Sequence, residues 1–319
     1  MLSLDHGKPL LFQIDKDRKK IRTIKFYDSP KKESDVVIDD LSSMLTRYDY
    51  KEVKSKFKLS NYDVEILKRK LKKNAKQEID NSVQLKAYEE LENIVNEKLK
   101  NIMLFDSHEE KSYELIPAIK GFGVVVVAGV SGAGKSTLVA KILSANRKPS
   151  EPILLISRTL REPDPAFKDF EDDIEVMDIN DLTNAPSLED LGANEDGQGA
   201  TWLIIDDIEG LKGEQREFIL ELVNGVVCCG RKLKIKVIFS SHLVSGYIHK
   251  TIMNEAQYYI VFPQSSKHKL HNELRLKYSM PTSEIHEIFE STKKDHSRYL
   301  ILGLNHPNFW ATKSRVVLN

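Results

Sequence analysis

The spacing of hydrophobic residues predicts different structures in the first third of the chain and in the remainder. Residues 10–14 and 21–26 are short apolar or alternating segments separated by a polar turn, which predicts two strands. Residues 35–47 and 62–103 place apolar residues three and four positions apart, which predicts helices with one apolar face. We therefore expect an N-terminal α+β region over residues 1–110.

From residue 121 onward, short apolar runs alternate with helical segments. Strands of a parallel sheet have this character because helices cover both faces of the sheet. We expect an α/β domain over residues 111–319, with a mostly parallel central sheet flanked by helices. The runs are Val124–Ala128, Ile153–Ile156, Ile174–Met177, Trp202–Ile205, Lys236–Phe239, Tyr258–Phe262 and Tyr299–Leu302.

A glycine-rich segment after the first of these runs fits the pattern G-x-x-x-x-G-K-[ST] without a mismatch. An apolar helix is predicted directly after it, over Thr137–Ser144. The backbone N–H groups of such a loop and the helix N-terminus face one anion, which predicts a P-loop NTPase that binds ATP and Mg²⁺. Lys135 is expected to reach the β- and γ-phosphates, and Ser136 to offer its hydroxyl to Mg²⁺. The residues expected to bind the nucleotide are Gly129, Ser131, Gly132, Ala133, Gly134, Lys135, Ser136 and Thr137.

A second apolar run, Trp202–Ile205, is followed by two carboxylates, Asp206 and Asp207. This is the Walker B arrangement. Asp206 is expected to hold Mg²⁺ together with Ser136, and Asp207 to orient the attacking water. Most ATP-hydrolysing proteins of this class have Glu in the second position, and Glu209 is the alternative if Asp207 does not take this role.

A third strand, which contains the run Lys236–Phe239, ends in Ser240, Ser241 and His242. If this strand lies between the other two, it brings Ser241 or His242 close to the γ-phosphate. A polar group in that position commonly senses hydrolysis. We assign Ser241 to this role, with His242 as the alternative.

Together these motifs resemble the P-loop ATPases of nucleocytoplasmic large DNA viruses, the poxvirus-type virion DNA-packaging ATPases of the FtsK/HerA superfamily. The Walker motifs alone are generic, and the resemblance covers about residues 121–312. One departure is Lys232, where such proteins often have His, and the first 110 residues match nothing in the family. The more specific segments are Gly230-Arg231, Asn254-Glu255-Ala256, Phe262-Pro263 and Ser297-Arg298-Tyr299.

The resemblance implies an oligomeric ring that hydrolyses ATP and pushes double-stranded DNA into a preformed capsid, in a virion or in a viral factory of the host cytoplasm. Such a ring needs an arginine delivered to the γ-phosphate across a subunit interface. Arg231 is the first candidate, and Arg158 and Arg298 are the others. The N-terminal region, residues 1–110, would then contact a capsid or portal-region protein.

The charge of the chain is balanced overall but unevenly placed. The 319 residues include 48 basic and 48 acidic residues, which excludes a uniformly basic nucleic-acid binder. Residues 151–200 have 14 acidic and 3 basic residues, whereas residues 228–280 have 9 basic and 2 acidic. The basic stretch is either an ordinary solvated surface or the DNA-contacting surface, and we predict the latter. Its candidates are Lys232, Lys234, Lys250, Lys267, Lys269, Arg275 and Lys277, with Tyr247, His249 and His268 among them.

The chain contains no run of 18 apolar residues, so no membrane insertion is expected. The first six residues lack the order of a secretory signal. The two adjacent cysteines, Cys228 and Cys229, are expected to be buried, reduced thiols of an intracellular protein.

Two other functions fit the same motifs. A P-loop kinase has the same phosphate loop, but it seldom has two carboxylates on a separate strand followed by a polar sensor strand. A nucleotide-binding virion or assembly protein with little turnover would use residues 1–110 for docking. DNA-stimulated hydrolysis distinguishes the motor from both alternatives, and acceptor-dependent phosphoryl transfer would identify a kinase.

Overall fold

The chain divides into two compact units in the computed structural model. One consists of residues 1–2 and 27–103, and the other of residues 3–26 and 104–319. The structure describes residues 2–4, 7–15, 17–26, 102–104, 113–119, 121–158, 164–180, 187, 188, 191, 201–208, 210–242, 252–263, 267–278, 280–294, 298–305, 307–313 and 315–318.

The predicted helices of the N-terminal third lie almost entirely outside the described residues. This applies to the whole of 35–47 and to 62–103 as far as residue 101. The last two residues of the second segment belong to a strand, β4 (Ile102–Leu104), and not to a helix. A further short strand, β1, is formed by Leu2–Ser3.

The predicted N-terminal strands fold with the larger unit. Strand β2 (Lys8–Ile14) pairs antiparallel with β3 (Lys20–Phe26), as the alternating sequence predicts. On its other side β2 pairs antiparallel with β5 (Glu114–Pro117), which follows about 100 residues later in the chain. The boundary between the two units therefore differs from the predicted boundary at residue 110, because a strand pair joins the N-terminus to the segment that precedes the phosphate loop.

Side-chain hydrogen bonds attach this small sheet to the rest of the larger unit. The Tyr258 hydroxyl donates to the carbonyls of Leu10, at 3.0 Å, and of Ala118, at 3.2 Å. The Asn146 side chain donates to the Pro117 carbonyl at 2.9 Å and accepts from the Ile119 N–H at 2.7 Å. Since Asn146 is the last residue of the helix that follows the phosphate loop, the small sheet is anchored to that helix.

The central sheet of the larger unit is mostly parallel, as predicted. Among described strands wholly within this unit, the order is β14–β13–β12–β11–β6–β10–β9–β7–β8. The pairs from β11 to β8 are parallel, and those from β11 to β14 are antiparallel. The strands are β6 (Val124–Ala128), β7 (Ile153–Ser157), β8 (Ile174–Asp178), β9 (Thr201–Asp206), β10 (Ile235–Ser241), β11 (Tyr258–Val261), β12 (Leu300–Gly303), β13 (Phe309–Ala311) and β14 (Arg315–Leu318).

The helix over Gly213–Leu233 is amphipathic and buries apolar residues three and four positions apart, among them Ile219, Leu222, Val223 and Val226. The predicted helix after the loop is confirmed as α1 (Lys135–Asn146). None of the described helices is long and apolar enough to cross a membrane. Cys229 is exposed rather than buried as predicted, and the side chain of Cys228 lies outside the described atoms. The helices are α1 (Lys135–Asn146), α2 (Gly213–Leu233), α3 (Lys267–Lys277) and α4 (Thr282–Lys294), with a 3₁₀ helix at Pro165–Phe170.

A buried charged cluster connects three elements at the amino ends of the central strands. The indole N–H of Trp202 donates to Glu151 Oε2 at 2.6 Å, and Lys236 Nζ donates to both Glu151 oxygens at 3.1 Å. Lys236 Nζ also lies 4.7 Å from the centre of the Trp202 ring. Burial alone would raise the pKa of Glu151, but the hydrogen bonds from Trp202 and Lys236 and the charge of Lys236 outweigh it, so the pKa lies below its ordinary value.

Removing the carboxylate from this cluster is expected to destabilise the fold. Glu151→Ala leaves the buried Lys236 ammonium without its ion-pair partner, and we expect the free energy of unfolding to fall by about 3–5 kcal/mol. Urea unfolding of the full chain measures this loss, and Glu151→Leu combined with Lys236→Met is the control that removes both charges. In the wild type the contribution of Glu151 is present above the ordinary pKa of 4.5 and is lost as the pH falls through the lower native pKa. Equal destabilisation by the single and the double variant would contradict the ion-pair assignment.

Candidate nucleotide-binding site

The phosphate loop connects the end of β6 to the start of α1. Gly134 caps the helix with φ 100°, in the left-handed region that glycine adopts without a steric penalty. Its carbonyl accepts the N–H of Leu138 at 3.0 Å, which starts the helical hydrogen bonding. The first turn of α1 contains no acidic side chain, so the N-terminal N–H groups and the helix dipole favour an anion at this point.

The first glycine of the loop is packed against an aromatic side chain. A Cβ atom on Gly129 would lie 2.9 Å from Cδ2 and 3.0 Å from Cβ of Phe262. The Phe262 ring in turn makes an edge-to-face contact with Tyr299, with ring centres 5.8 Å apart. The Gly129 N–H donates to the Ser241 carbonyl at 3.0 Å. Two of the segments that carry the family resemblance, Phe262-Pro263 and Ser297-Arg298-Tyr299, therefore each contribute a side chain to the packing at the start of the loop.

A methyl group at the first glycine is expected to displace the loop. Gly129 is not among the described residues with positive φ, so the backbone tolerates alanine and the obstacle is the Phe262 ring. Overpacking of this kind costs about 1–3 kcal/mol, which corresponds to a loss of ATP affinity of about 5- to 150-fold if the loop must move. We expect Gly129→Ala to weaken ATP binding and Phe262→Leu in the same chain to restore it. Purely additive effects of the two changes, measured by equilibrium titration, would contradict this explanation.

The carboxyl ends of the central strands and the loop enclose a cleft of about 270 Å³. Predicted residues of the Walker A and Walker B motifs meet in this cleft. Gly129 and Ala133 belong to the loop but do not line the cleft, and the Ala133 N–H donates to the Val130 carbonyl at 3.2 Å. The lining residues are Ser131, Gly132, Gly134, Lys135, Ser136, Thr137, Asp164, Asp206, Asp207 and His242.

Three side chains form a continuous hydrogen-bonded chain along the cleft. Lys135 Nζ lies 3.0 Å from His242 Nδ1, and His242 Nε2 lies 2.9 Å from Asp207 Oδ1. This contact is possible because β10 lies between β6 and β9, as predicted, so that the ends of all three strands are adjacent. Lys135 Nζ also donates to the carbonyls of Gly129, at 3.0 Å, and of Val130, at 3.4 Å.

The first Walker B carboxylate has a different environment from the second. Burial raises the pKa of Asp206, against the opposing effects of a hydrogen bond from the Ser240 side chain and the positive charge of Lys135. Asp207, by contrast, is about one-third exposed and has φ 54°. Asp206 therefore lies deeper in the site, whereas Asp207 meets the open part of the cleft.

Ser136 and Asp206 fit Mg²⁺ better than a transition metal. Both line the cleft and offer oxygen atoms, the donors that Mg²⁺ prefers. Within the described part of the chain, no group of three or more His, Cys, Asp or Glu residues is arranged to hold a metal ion. Mg²⁺ usually takes only one or two protein oxygens and obtains the others from water and substrate phosphates, so this sparse donor set suits it.

The two candidates for the sensor position, Ser241 and His242, have different environments in the structure. Ser241 is 2% exposed, and its backbone carbonyl accepts the Gly129 N–H, whereas His242 lines the cleft.

Asp164 also lines the cleft, although it was not predicted from the sequence. Its carboxylate accepts the Ala166 N–H at 2.8 Å and caps the 3₁₀ helix, and the Asp-Pro pair at 164–165 is a recognisable signal for such a cap.

Of the arginines proposed to act between subunits, Arg158 and Arg298 do not line the cleft. Arg158 follows β7 and is exposed, with its guanidinium 3.4 Å from the position that a Cβ on Gly210 would take. Arg298 is exposed just before β12. The backbone of Arg231 lies in the last turn of α2, but its side chain is outside the described atoms, as is Glu209.

Comparison with known proteins gives distant matches. No family model matches the chain. An uncharacterised protein, V3, of Sputnik virophage is 27% identical over 192 residues, which cover 58% of this chain and 73% of the relative. The genome packaging NTPase B204 of Sulfolobus turreted icosahedral virus 2, solved with AMP, has a TM-score of 0.39 and 16% identity, covering 59% of this chain and 95% of that one. The cytoplasmic domain of the type VII secretion ATPase EccC of Thermomonospora curvata has a TM-score of 0.40 and 13% identity, covering 69% of this chain and 29% of that one.

Proposed function

We propose that the chain is a viral ATPase that hydrolyses ATP in order to move double-stranded DNA into a capsid, working as a ring of identical subunits. The observation that carries the hydrolysis part of the proposal is the hydrogen-bonded chain Lys135–His242–Asp207, which joins the phosphate loop to the Walker B strand. A carboxylate–imidazole pair beside the loop lysine can polarise a water molecule next to a bound phosphate.

The cleft residues divide the work of ATP hydrolysis. Lys135 and the N–H groups at the start of α1 bind the β- and γ-phosphates, which carry most of the negative charge. Ser136 and Asp206 hold Mg²⁺, which when bound neutralises charge on the phosphate oxygens. Asp207 and His242 position the water that attacks the γ-phosphorus. This division leaves a polar pair for water activation, which a protein that only binds nucleotide does not need.

Support for the packaging role comes from the segments of the resemblance and from the relative. Phe262 and Tyr299 belong to segments that the Walker motifs do not require, and both take part in the packing that fixes Gly129. The curated relative is a protein of a virophage. Ring assembly would supply Arg231, Arg158 or Arg298 to the γ-phosphate of a neighbouring subunit. A capsid or portal-region protein would contact residues 1–110.

The test is the rate of ATP hydrolysis with and without double-stranded DNA, on size-fractionated protein. We expect DNA to stimulate hydrolysis in an oligomeric fraction. Asp207→Asn is the matched control, because asparagine tolerates the φ of 54° and only the charge is removed. This variant should bind ATP but lose at least about 100-fold in turnover.

Two results would favour the other candidate functions. ATP binding without turnover in the wild type, with or without DNA, would indicate a nucleotide-binding assembly protein. Turnover that requires a phosphoryl acceptor other than water would indicate a kinase.

A further inference from the structure

The contacts of His242 assign a more specific role within the proposed hydrolysis, and the assignment rests on that proposed function. We infer that His242 accepts the proton of the attacking water, that Asp207 acts through His242, and that Lys135 controls when the acceptor nitrogen is accessible. His242 is thus the catalytic base, and Asp207 is a positioning residue.

The partners of the imidazole ring determine which nitrogen carries the proton. An ionised carboxylate only accepts hydrogen bonds, so Nε2, which lies 2.9 Å from Asp207 Oδ1, donates. An ammonium group only donates, so Nδ1, which lies 3.0 Å from Lys135 Nζ, accepts. The ring is therefore neutral and protonated on Nε2. Its basic lone pair, on Nδ1, points toward the phosphate loop.

The geometry of Asp207 favours an indirect role for its carboxylate. Aspartate is one methylene shorter than the glutamate that most ATPases of this kind have at this position. The imidazole extends from Asp207 to the loop lysine, and so bridges a gap that the carboxylate alone does not span in the structure. A carboxylate bonded to Nε2–H holds the ring in one tautomer and stabilises the positive charge that the ring gains when it accepts a proton.

Lys135 has to change partners when it binds phosphate. Its ammonium group has three protons, and three acceptors already take them: the carbonyls of Gly129 and Val130, and His242 Nδ1. A phosphate oxygen gains a bond from this group only by displacing one of these acceptors. Displacement of Nδ1 leaves its lone pair directed toward the phosphate loop, where a water molecule can donate to it. In this proposal Nδ1 is the acceptor that leaves, so the base becomes available when a triphosphate engages Lys135.

The chemical step conserves atoms and charge. The water oxygen forms a bond to the γ-phosphorus while its proton moves to His242 Nδ1. The bond between the γ-phosphorus and the bridging oxygen breaks, and its electron pair stays on the β-phosphate of ADP. The ring then carries protons on both nitrogens, is stabilised by Asp207, and returns one proton to solvent after phosphate leaves.

The test is a double-mutant cycle between Asp207→Asn and His242→Gln in the full chain. Glutamine can still donate a hydrogen bond to Asp207 but cannot take up a proton. We expect His242→Gln to lower single-turnover kcat by at least about 100-fold. Its affinity for a non-hydrolysable ATP analogue should stay within about threefold of the wild type, which also reports that the variant is folded. The double variant should be no slower than His242→Gln alone, because Asp207 has no further residue to act through.

Two outcomes would overturn the inference. In the first, the His242→Gln or the His242→Asn variant binds the analogue and still retains more than a tenth of the wild-type kcat. In the second, adding Asp207→Asn to the His242→Gln variant lowers kcat by the same factor as adding it to the wild type. His286→Gln, at an exposed position of α4, is the matched control and should behave as the wild type. If the wild type itself does not hydrolyse ATP, the proposed function fails as well; if it does and only His242 is dispensable, the proposed function stands.

The control by Lys135 has its own readout. In protein labelled with ¹⁵N-histidine, the His242 signals are identified by their loss in His242→Gln. Addition of the ATP analogue to the wild type and the change Lys135→Met both remove the ammonium donor from Nδ1. Both should therefore shift the Nδ1 resonance in the same direction. Shifts in opposite directions, or no shift with the analogue, would show that Lys135 does not leave His242 when nucleotide binds.

Discussion

Replacing Lys135 with alanine is expected to abolish tight ATP binding. Lys135 is buried at the first position of α1, and its ammonium group extends along the cleft to the end of β10. It is the lysine that the P-loop motif directs at the β- and γ-phosphates, where hydrogen bonds between charged groups are strongest. We expect a loss of at least about 100-fold in affinity, or about 2.8 kcal/mol.

The measurement is an equilibrium titration with a fluorescent ATP analogue, with thermal unfolding as the check on the fold. Lys148→Ala is the matched control, because Lys148 is an exposed lysine that follows the same helix. An affinity equal to that of the wild type in Lys135→Ala, in protein that unfolds at the wild-type temperature, would refute the assignment of the site.

The sequence is informative about this part of the molecule because the relevant signals are local. The strand Val124–Ala128, the glycine-rich loop and the start of α1 follow one another directly in the chain. The sequence pattern of each segment predicts one local backbone structure. The runs at 153, 202 and 236 predict buried strands for the same reason, and each is a strand in the structure, extended by one or two residues at its ends. The polar residues after Trp202–Ile205 and Lys236–Phe239 could therefore be assigned to one edge of the sheet.

Features that depend on distant residues could not be predicted. His242 contacts Lys135, which is 107 residues away, and the local pattern around His242 gives no reason to prefer it to Ser241. The pairing of β2 with β5 spans about 100 residues, so the alternation at 10–14 indicates a strand but not the unit to which it belongs. Strands β13 and β14 at the end of the sheet were not predicted from the sequence.

Charge substitutions in the full chain locate the DNA-binding surface better than a deletion of residues 1–110 would. Deleting residues 1–110 would remove β2 and β3, together with the buried side chains of Leu11, Ile14 and Ile24. The truncated protein would lose part of its core, so its failure to bind DNA would have no clear cause. Charge substitutions in the full chain avoid this problem.

The basic helix α3, which belongs to the 228–280 stretch, is connected to the phosphate loop through strand β11. Its buried residues include Leu270, Glu273 and Leu274, and Glu273 Oε2 accepts a hydrogen bond from the Tyr259 hydroxyl of β11 at 3.2 Å. Strand β11 pairs with β6, and the residue after it, Phe262, packs on Gly129. A displacement of the loop can therefore reach α3 through one strand. On the opposite side of the helix Arg275 is exposed, and Leu276 is 71% exposed.

We expect the triple change Lys267→Ala, Lys269→Ala and Arg275→Ala in α3 to weaken DNA binding and reduce its salt dependence. Each lost phosphate contact lowers the slope of log affinity against log salt by about 0.9, so three contacts account for roughly 2.7 units. Alanine has the highest helix propensity, so α3 should persist, and basal ATP hydrolysis should remain because none of the three belongs to the Walker motifs. The comparison is the same number of substitutions in the N-terminal lysine cluster, Lys68→Ala, Lys70→Ala and Lys72→Ala. If the cluster variant lost the salt-dependent binding and the α3 variant kept it, DNA would be held by the N-terminal region, and α3 would be an ordinary basic surface.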